Sequence, residues 1–272
     1  MGILSKFFKS DEFLTKNSKI IDALKILQNS SLSNNERADA LAKLKSICLT
    51  STDKDDLKAI SQSIIKTVTN DNSIEIRENA LKTFDAIIDN CLFFYNQAPL
   101  RPDSHLKLNI VSHDAVPMLI GVAKYKSENA KELRLMAFRT LSKIAPFAID
   151  DERIVFLARS LNDQSDDIRV AMISAFENLV KSSDDALKRR IARFSLSALC
   201  EALSDSAIWM RSVKVISGLG KYALGAAPFL YKRLNDDDGE WVLYALHHIT
   251  GEQYGKDEKH KWEQWLQKYV VK

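Results

Sequence analysis

Apolar residues recur along this chain at a spacing that indicates helices. Across most of the length they fall three or four positions apart, which places them on one face of an α-helix. In several segments an arginine is followed, at offsets of three, seven and ten, by a small or flexible residue and then two larger apolar residues. These series begin at Arg37, Arg77, Arg134 and Arg169. Because such offsets share one helical face, the pattern predicts helices that pack along a repeated seam.

The same kind of segment carries an acidic residue six positions before the arginine. The pairs are Asp71 and Arg77, Glu128 and Arg134, Asp163 and Arg169, and Asp205 and Arg211. An acid in the turn can cap the N-terminus of the second helix, where unpaired amides and the helix dipole favour negative charge. A lateral arginine can then satisfy its remaining oxygens. We expect structural joints between repeats rather than phosphate-binding sites.

This pattern resembles the second half of a HEAT repeat, and the resemblance covers nearly the whole chain. It implies an all-α fold, a right-handed α-solenoid of about six HEAT-like helical hairpins. As a single domain, residues 1–272 would comprise an amphipathic helix at 1–16, repeats over 17–251 and a C-terminal capping helix at 252–272. In HEAT repeats the turn acid and the arginine form a ladder between neighbouring units, and the resemblance implies that role for the pairs above.

Three departures from the pattern mark individual repeats. The first repeat has Ser31 where the acid is expected, and the sixth has Val242 in place of the arginine. In the fifth repeat Lys214 occupies the place of the small seam residue, and Val215 and Leu219 come one residue late. We expect the two ends of the array to lack a full charged pair, as capping units with one neighbour do.

The C-terminal segment resembles the closing segment of many bacterial HEAT-repeat proteins. The matching residues are Ile249, Thr250, Gly251, Tyr254, Gly255, Trp262 and Trp265. Gly251 can end a helix in the left-handed conformation, and Asp257 can cap the next helix. We expect Trp262, Trp265 and Leu266 to form one apolar face that folds back on the sixth repeat.

The N-terminal segment, residues 2–15, is predicted to be an amphipathic helix. Its apolar face consists of Ile3, Leu4, Phe7, Phe8 and Leu14, with lysines between them. Such a helix can cover the open apolar end of a repeat stack. It can also lie on a membrane surface or in the groove of a partner. Both interpretations remain open from the sequence.

Charge and cysteine content limit the function classes. The net charge is +3, with 39 basic and 36 acidic residues, so a polyanionic partner is not expected from composition. Three separated cysteines without a C-x-x-C spacing are typical of reduced thiols. The sequence lacks a membrane-length apolar run and a signal peptide, so we expect a cytoplasmic protein, with peripheral membrane contact through residues 2–15 as the alternative.

Sequence motifs for catalysis are absent. The chain contains no P-loop, no G-x-S-x-G and no G-x-G-x-x-G after a strand. Neither the adjacent His247 and His248 nor the widely spaced His105 and His113 match a metal-binding motif. A basic cluster at Lys188–Arg193 has acidic residues close by, so nucleic acid is not the expected partner. We expect no enzyme activity, no cofactor, no metal and no small-molecule substrate.

One segment breaks the repeat period. Arg77 and Arg134 lie 57 positions apart, against 35 to 42 for the other neighbouring arginines. We assign the excess to an insertion at about 96–113, expected to be a loop, since insertions in repeat proteins cluster on the binding face. Within it Arg101, His105 and His113 are candidate partner contacts, whereas Phe93 and Phe94 are expected to pack inward.

A scaffold function follows from the expected architecture. Solenoids present a concave face built from their second helices, and similar proteins hold partner proteins on it. The candidate contacts there are Arg139, Lys143, Ser174 and Glu177. The leading prediction is a non-enzymatic scaffold that binds another protein on this face or on the insertion. The alternatives are a membrane-recruited adaptor and, by fold analogy, a bilin-lyase-like or nucleic-acid-binding HEAT protein.

Overall fold

Helices form almost the whole of the described structure. The computed structural model describes residues 15–97, 102–125, 130–147, 149–236 and 238–269. These residues contain α-helices, short 3-10 turns and no β-strand. The prediction of an all-α fold is therefore confirmed. The chain divides into two compact units, Met1–Thr140 and Leu141–Lys272, hereafter the N-terminal and C-terminal units.

The N-terminal unit consists of helical hairpins. Its helices are α1 (Ser18–Gln28), α2 (Asn34–Thr50), α3 (Lys54–Asn70), α4 (Ile74–Gln97), α5 (Pro102–Ala123) and the first part of α6 (Lys131–Ile144). The helices α1 and α2 pack together, as do α3 and α4. The second helices α2 and α4 then lie side by side, and α3 lies beside α5. This alternation of first and second helices is the packing that the repeat pattern predicts.

The buried seam of this unit follows the offsets read from the sequence. The seam residues are Ala40, Leu44, Ala80, Phe84 and Ala137, and each is almost wholly buried. The alanines leave room for the neighbouring helix, and the larger side chains fill the space between layers. Burial of each large side chain stabilises the fold by about 1.5–3 kcal/mol.

The C-terminal unit also consists of helices. They are α7 (Asp151–Ser160), α8 (Asp166–Ser182), α9 (Asp185–Glu201), α10 (Trp209–Leu219), α11 (Ala227–Lys232), α12 (Gly239–Thr250) and α13 (Lys259–Tyr269). Here α7 packs on α8 and α9, and the second helices α8, α10 and α12 lie side by side. A β-carbon at Gly218 would lie 2.5 Å from Val180 Cγ1, so this glycine permits the close approach of α10 to α8.

The prediction that residues 96–113 form a loop is wrong. Most of the segment 96–113 belongs to α5, which begins at Pro102, and proline suits the first turn of a helix because its missing N–H is not needed there. Leu108, Val111 and Ala115 are buried at helical spacing, which is the sequence signal for this helix. The extra residues therefore lengthen α4 and α5 instead of forming a loop.

The candidate contacts of the insertion must be reassigned accordingly. His105 and His113 fall within α5, whereas Arg101 lies outside the described residues. Phe93 and Phe94 were expected to pack inward but are exposed near the end of α4. Their rings contact each other edge to face, with 5.5 Å between centroids.

The C-terminal cap is organised around Trp262. This side chain is wholly buried, its ring is stacked on His247 at 6.1 Å, and its indole N–H donates to the carbonyl of Gly255 at 3.3 Å. Gly251 ends α12 with φ of 78°, which confirms the predicted left-handed residue. The predicted cap at Asp257 is wrong, because α13 begins at Lys259.

All three cysteines are free and buried. Burial raises the pKa of the Cys48 thiol to about 12 and those of Cys91 and Cys200 to about 11. Such thiols stay protonated at neutral pH, and a protonated thiol is a poor nucleophile and metal ligand. The cysteines thus serve as small apolar side chains.

The predicted N-terminal helix falls outside the described residues, apart from Thr15. Thr15 is buried and donates a hydrogen bond to Asp56 of α3. No helix within the described residues is long and apolar enough to cross a membrane. The capping and membrane-surface interpretations of residues 2–14 both stay predictions.

The role of Trp262 in the cap leads to a stability prediction. Trp262→Ala removes a fully buried indole, so we expect it to lower the free energy of unfolding by about 3–5 kcal/mol. Urea denaturation followed by circular dichroism measures this change. Trp241→Ala, at a tryptophan that is 52% exposed, is the matched control and should change stability little. Equal effects of the two substitutions would contradict the assignment.

Candidate interaction surface

Three of the repeated arginines bind the C-terminal ends of the helices that precede them. In the N-terminal unit each donates its Nε–H to a carbonyl in the last turn of a first helix. The bonds run from Arg37 to Leu27 at 2.9 Å, from Arg77 to Val68 at 2.7 Å, and from Arg134 to Ala123 at 2.9 Å. These terminal carbonyls have no partner within their own helix and carry partial negative charge. Each arginine therefore fixes one hairpin internally.

Two of the repeated arginines, Arg37 and Arg169, form an ion pair with an acid in the following repeat. The Arg37 guanidinium forms an ion pair with Asp71. Arg169 donates to Asp205 at 2.5 Å and, through Nη1, to the backbone carbonyl of Asp163 at 2.8 Å. In both cases the charged contact runs forward to the turn of the next repeat. Ser31 therefore does not prevent the first repeat from having a charged pair.

The turn acids accept backbone hydrogen bonds two residues ahead. Asp71 accepts from the N–H of Ser73 at 2.9 Å, Asp163 from Ser165 at 3.0 Å, and Asp205 from Ala207 at 2.8 Å. Such bonds shape the turn before the helix. The expectation that the acid caps the helix itself is therefore corrected, and Glu128 lies outside the described residues.

Arg211 does not occupy the ladder position. Each of the other four repeated arginines is the fourth residue of its helix, whereas Arg211 is the third residue of α10. The fourth residue is Ser212, which is wholly buried. One residue rotates a side chain by about 100° around the helix, and Arg211 accordingly forms an ion pair with Glu177 of α8. The same shift explains why the seam residues Val215 and Leu219 lie one position later than the offsets from Arg211 predict.

The second helices of the C-terminal unit present outward stripes at helical spacing. We define the exposed second-helix surface by the residues on these stripes. They are Val170, Ser174, Glu177 and Lys181 on α8, Arg211 and Lys214 on α10, and Trp241, Tyr244 and His248 on α12. Their spacings of three and four place each set on one face of its helix.

Side-chain contacts join the three stripes. Arg211 links α10 to α8 through the Glu177 carboxylate and through the Val170 carbonyl, the latter at 3.3 Å. Lys214 links α10 to α12, because its ammonium lies 5.7 Å from the centroid of the Trp241 ring. The stripes therefore form one continuous surface across three helices.

Two large aromatic side chains are exposed on this surface. Trp241 and Tyr244 are each 52% accessible to solvent. The Tyr244 ring lies 4.3 Å from the ring of His248, one turn further along α12. Large aromatic groups exposed on a rigid helix are typical of sites that bind a partner.

Two of the four second-helix contacts predicted from the sequence lie on this surface, and the other two lie on α6. Ser174 and Glu177 belong to the exposed second-helix surface, and Ser174 donates to the carbonyl of Val170 at 2.7 Å. Arg139 is exposed and Lys143 half-buried on α6. The sequence reasoning missed Trp241 and Tyr244. Their spacing with His248 on the face opposite Val242, Ala245 and Ile249 could have revealed them.

The basic segment Lys188–Arg193 is engaged in internal contacts. Arg190 pairs with Asp151 at 2.7 Å, and the Arg189 guanidinium lies over the ring of Tyr222 at 5.4 Å. The Tyr222 hydroxyl in turn donates to Asp185 at 2.9 Å. Within the described residues no group of three or more His, Cys, Asp or Glu is placed to hold a metal ion.

Comparison with known proteins identifies the fold. The chain is similar to an engineered protein, with 18% identity and a TM-score of 0.57, over 86% of this chain and 97% of that one. It is similar to a designed armadillo repeat protein in complex with the peptide (KR)4, with 16% identity and a TM-score of 0.57, over 85% and 99% of the two chains. These likenesses show an α-solenoid of the armadillo/HEAT type.

A further similar structure belongs to computationally designed armadillo repeat proteins for modular peptide recognition. Its identity to this chain is 17% and its TM-score 0.53, over 85% of this chain and 100% of that one. No protein-family model matches the sequence, and no curated protein matches it significantly.

The contact between Arg169 and Asp205 makes the stability of the fold dependent on pH. Burial acts to raise the pKa of Asp205, but the hydrogen bonds from Arg169 and the Ala207 N–H bring it below its ordinary value of 3.8. The stabilisation is therefore complete above pH 3.8 and is lost as the pH falls through the lowered pKa. Asp205→Asn should lower the free energy of unfolding by about 1–3 kcal/mol at neutral pH. The difference from wild type should shrink as the pH falls through the lowered pKa of Asp205.

Urea denaturation at a series of pH values tests this expectation. Asp166→Asn is the matched control, because Asp166 also pairs with Arg169, at 2.7 Å, yet its side chain is 74% exposed. Exposed pairs contribute little. If the free energies of unfolding of wild type and Asp205→Asn differ by the same amount from neutral to strongly acidic pH, the assignment is contradicted.

Proposed function

We propose that this protein is a HEAT-like scaffold without enzyme activity that binds a segment of another protein on its exposed second-helix surface. The observation that carries the proposal is the exposed pair Trp241 and Tyr244 on α12, which the cation of Lys214 connects to the neighbouring helix. Aromatic side chains dominate the binding energy of protein interfaces.

The polar side chains of the surface are preorganised by contacts within the protein. Ser174 and Arg211 are engaged in internal hydrogen bonds, and Glu177 is paired with Arg211. Side chains that are already fixed lose little conformational entropy on binding. These contacts favour a binding role over a chemical one, since the polar groups of the surface are committed to structure.

The similar structures support polypeptide as the class of partner. One designed armadillo repeat protein of this fold is in complex with a peptide, and others are designed for peptide recognition. The second helices of such a solenoid form parallel rows that repeat along the array. An extended segment could contact successive rows in the same way, so we propose a peptide-like segment as the bound element.

A peptide-display selection on the full chain tests this proposal. A library of random twelve-residue peptides is selected against wild type, and the dissociation constants of the enriched peptides are measured by fluorescence anisotropy. We expect Trp241→Ala to weaken their binding at least about tenfold, as loss of an interface aromatic does. Phe229→Ala is the matched control, because Phe229 is 47% exposed on α11, outside the surface.

Two results would overturn the proposal. One is a selection that enriches no peptide binding the folded protein. The other is a set of enriched peptides whose affinity for Trp241→Ala equals that for wild type while circular dichroism shows both chains folded. Weakened binding to Phe229→Ala alone would place the binding surface elsewhere on the molecule.

A further inference from the structure

We infer that the segment bound by the exposed second-helix surface combines an apolar side chain with a neighbouring carboxylate. This inference rests on the proposed function and adds the chemistry of the partner. It follows from the distribution of charge over the surface and from the position of Lys214 beside Trp241.

The surface has an excess of positive charge. Its basic residues are Lys181, Arg211 and Lys214, and its single acid is Glu177. The pair between Arg211 and Glu177 neutralises one charge of each sign. What remains is the two lysines, and among the residues that the structure describes neither lies within ion-pair distance of a carboxylate. The uncompensated charge therefore favours an anionic group on the partner.

Lys214 places this charge next to the aromatic residues. Its ammonium lies 5.7 Å from the centroid of the Trp241 ring, and that contact uses none of its three N–H donors in a hydrogen bond to an acceptor oxygen. A carboxylate of the partner could accept from these donors while an adjacent apolar side chain covers Trp241 and Tyr244. Removal of water from the aromatic rings would strengthen the charged hydrogen bond.

A basic segment fits this surface poorly. It would approach Lys181 and Lys214, and the acid of the surface, Glu177, is already bound to Arg211. Like charges brought together at an interface cost free energy and act against the wrong partner. Glu240 of α12 is exposed, but it lies one residue before Trp241 and hence about 100° around the helix from the stripe.

A nucleic acid also fits less well than an acidic polypeptide. Binding along a phosphate backbone requires a run of cations that neutralise successive phosphates. The surface offers two unpaired lysines, and its other exposed groups are apolar or aromatic side chains, a hydroxyl and an imidazole. We therefore commit to a protein segment that carries both apolar and acidic side chains.

Matched peptides measure this preference. Three fluorescent twelve-residue peptides share one backbone design: the first has Phe and Leu beside Asp and Glu, the second replaces the acids by Lys, and the third replaces the apolar residues by Ala. We expect the acidic-apolar peptide to bind the full chain at least about tenfold more tightly than either of the others, with an affinity that falls as salt is raised. A single-stranded DNA of similar length is the fourth probe.

Charge reversal at Lys214 identifies the residue responsible. Lys214→Glu should reduce the preference for the acidic peptide over the lysine peptide at least about tenfold, and because Lys214 is exposed the variant should fold. Lys232→Glu is the matched control, since Lys232 lies over the ring of Phe229 at 5.8 Å in the same kind of contact outside the surface. That control should leave the preference unchanged.

The outcomes separate this inference from the proposed function. Peptides that require Trp241 but prefer Lys over Asp and Glu would overturn the inference and leave the scaffold proposal intact. Preference for DNA over all peptides would overturn both. An unchanged preference in Lys214→Glu would show that Lys214 does not select the partner, and the inference would fall.

Discussion

The joints between repeats depend on guanidinium groups that bind two structural elements at once, as Arg37 and Arg169 do. Arg37 donates Nε–H to the carbonyl of Leu27 at the end of α1 and pairs with Asp71 in the next turn. Arg169 likewise binds two groups, the carbonyl of Asp163 in the turn before α8 and the carboxylate of Asp205 in the turn before α10. Arginine suits this role because its donors are fixed in a planar fork. Lysine carries its donors on one nitrogen and lacks this planar fork.

The exposed second-helix surface is a consequence of this arrangement and of its one displaced member. The joints hold α8 and α10 side by side, and the residues between the buried seams are left to face outward. In the fifth repeat Ser212 takes the ladder position, so Arg211 turns to Glu177 on the surface. That pair removes charge from the middle of the surface and leaves Lys214 as the cation beside Trp241. The departure from the repeat therefore shapes the proposed binding chemistry.

The sequence predicts the repeated parts of the fold well, because the same signal recurs several times. The seam residues Ala40, Ala80 and Ala137 are buried as expected, and Gly251 has the left-handed conformation. A buried face gives a fixed period, and repetition separates that period from chance. The repeat period does not predict helix α5, because its residues lie outside that period. The helical spacing of Leu108 and Val111 is the signal that indicates it.

The candidate surface could be predicted only in part. Ser174 and Glu177 were identified because they lie on a second helix away from its seam. Trp241 is not among the contacts predicted from the sequence, although it is exposed and Trp262 is buried. The direction of the charged joints was also not visible in the sequence, since an acid six residues before an arginine suggests a local pair. Only the packing of neighbouring repeats shows that the acid belongs to the preceding arginine.

A double-mutant cycle on Arg169 and Asp205 tests most directly the claim that these arginines join consecutive repeats. The free energies of unfolding of wild type, Arg169→Ala, Asp205→Ala and the double variant are measured by urea denaturation at neutral pH. The structure predicts a coupling energy of about 1–3 kcal/mol, as for residues in one hydrogen-bonded pair. Additive effects, with a coupling below about 0.3 kcal/mol, would contradict the account.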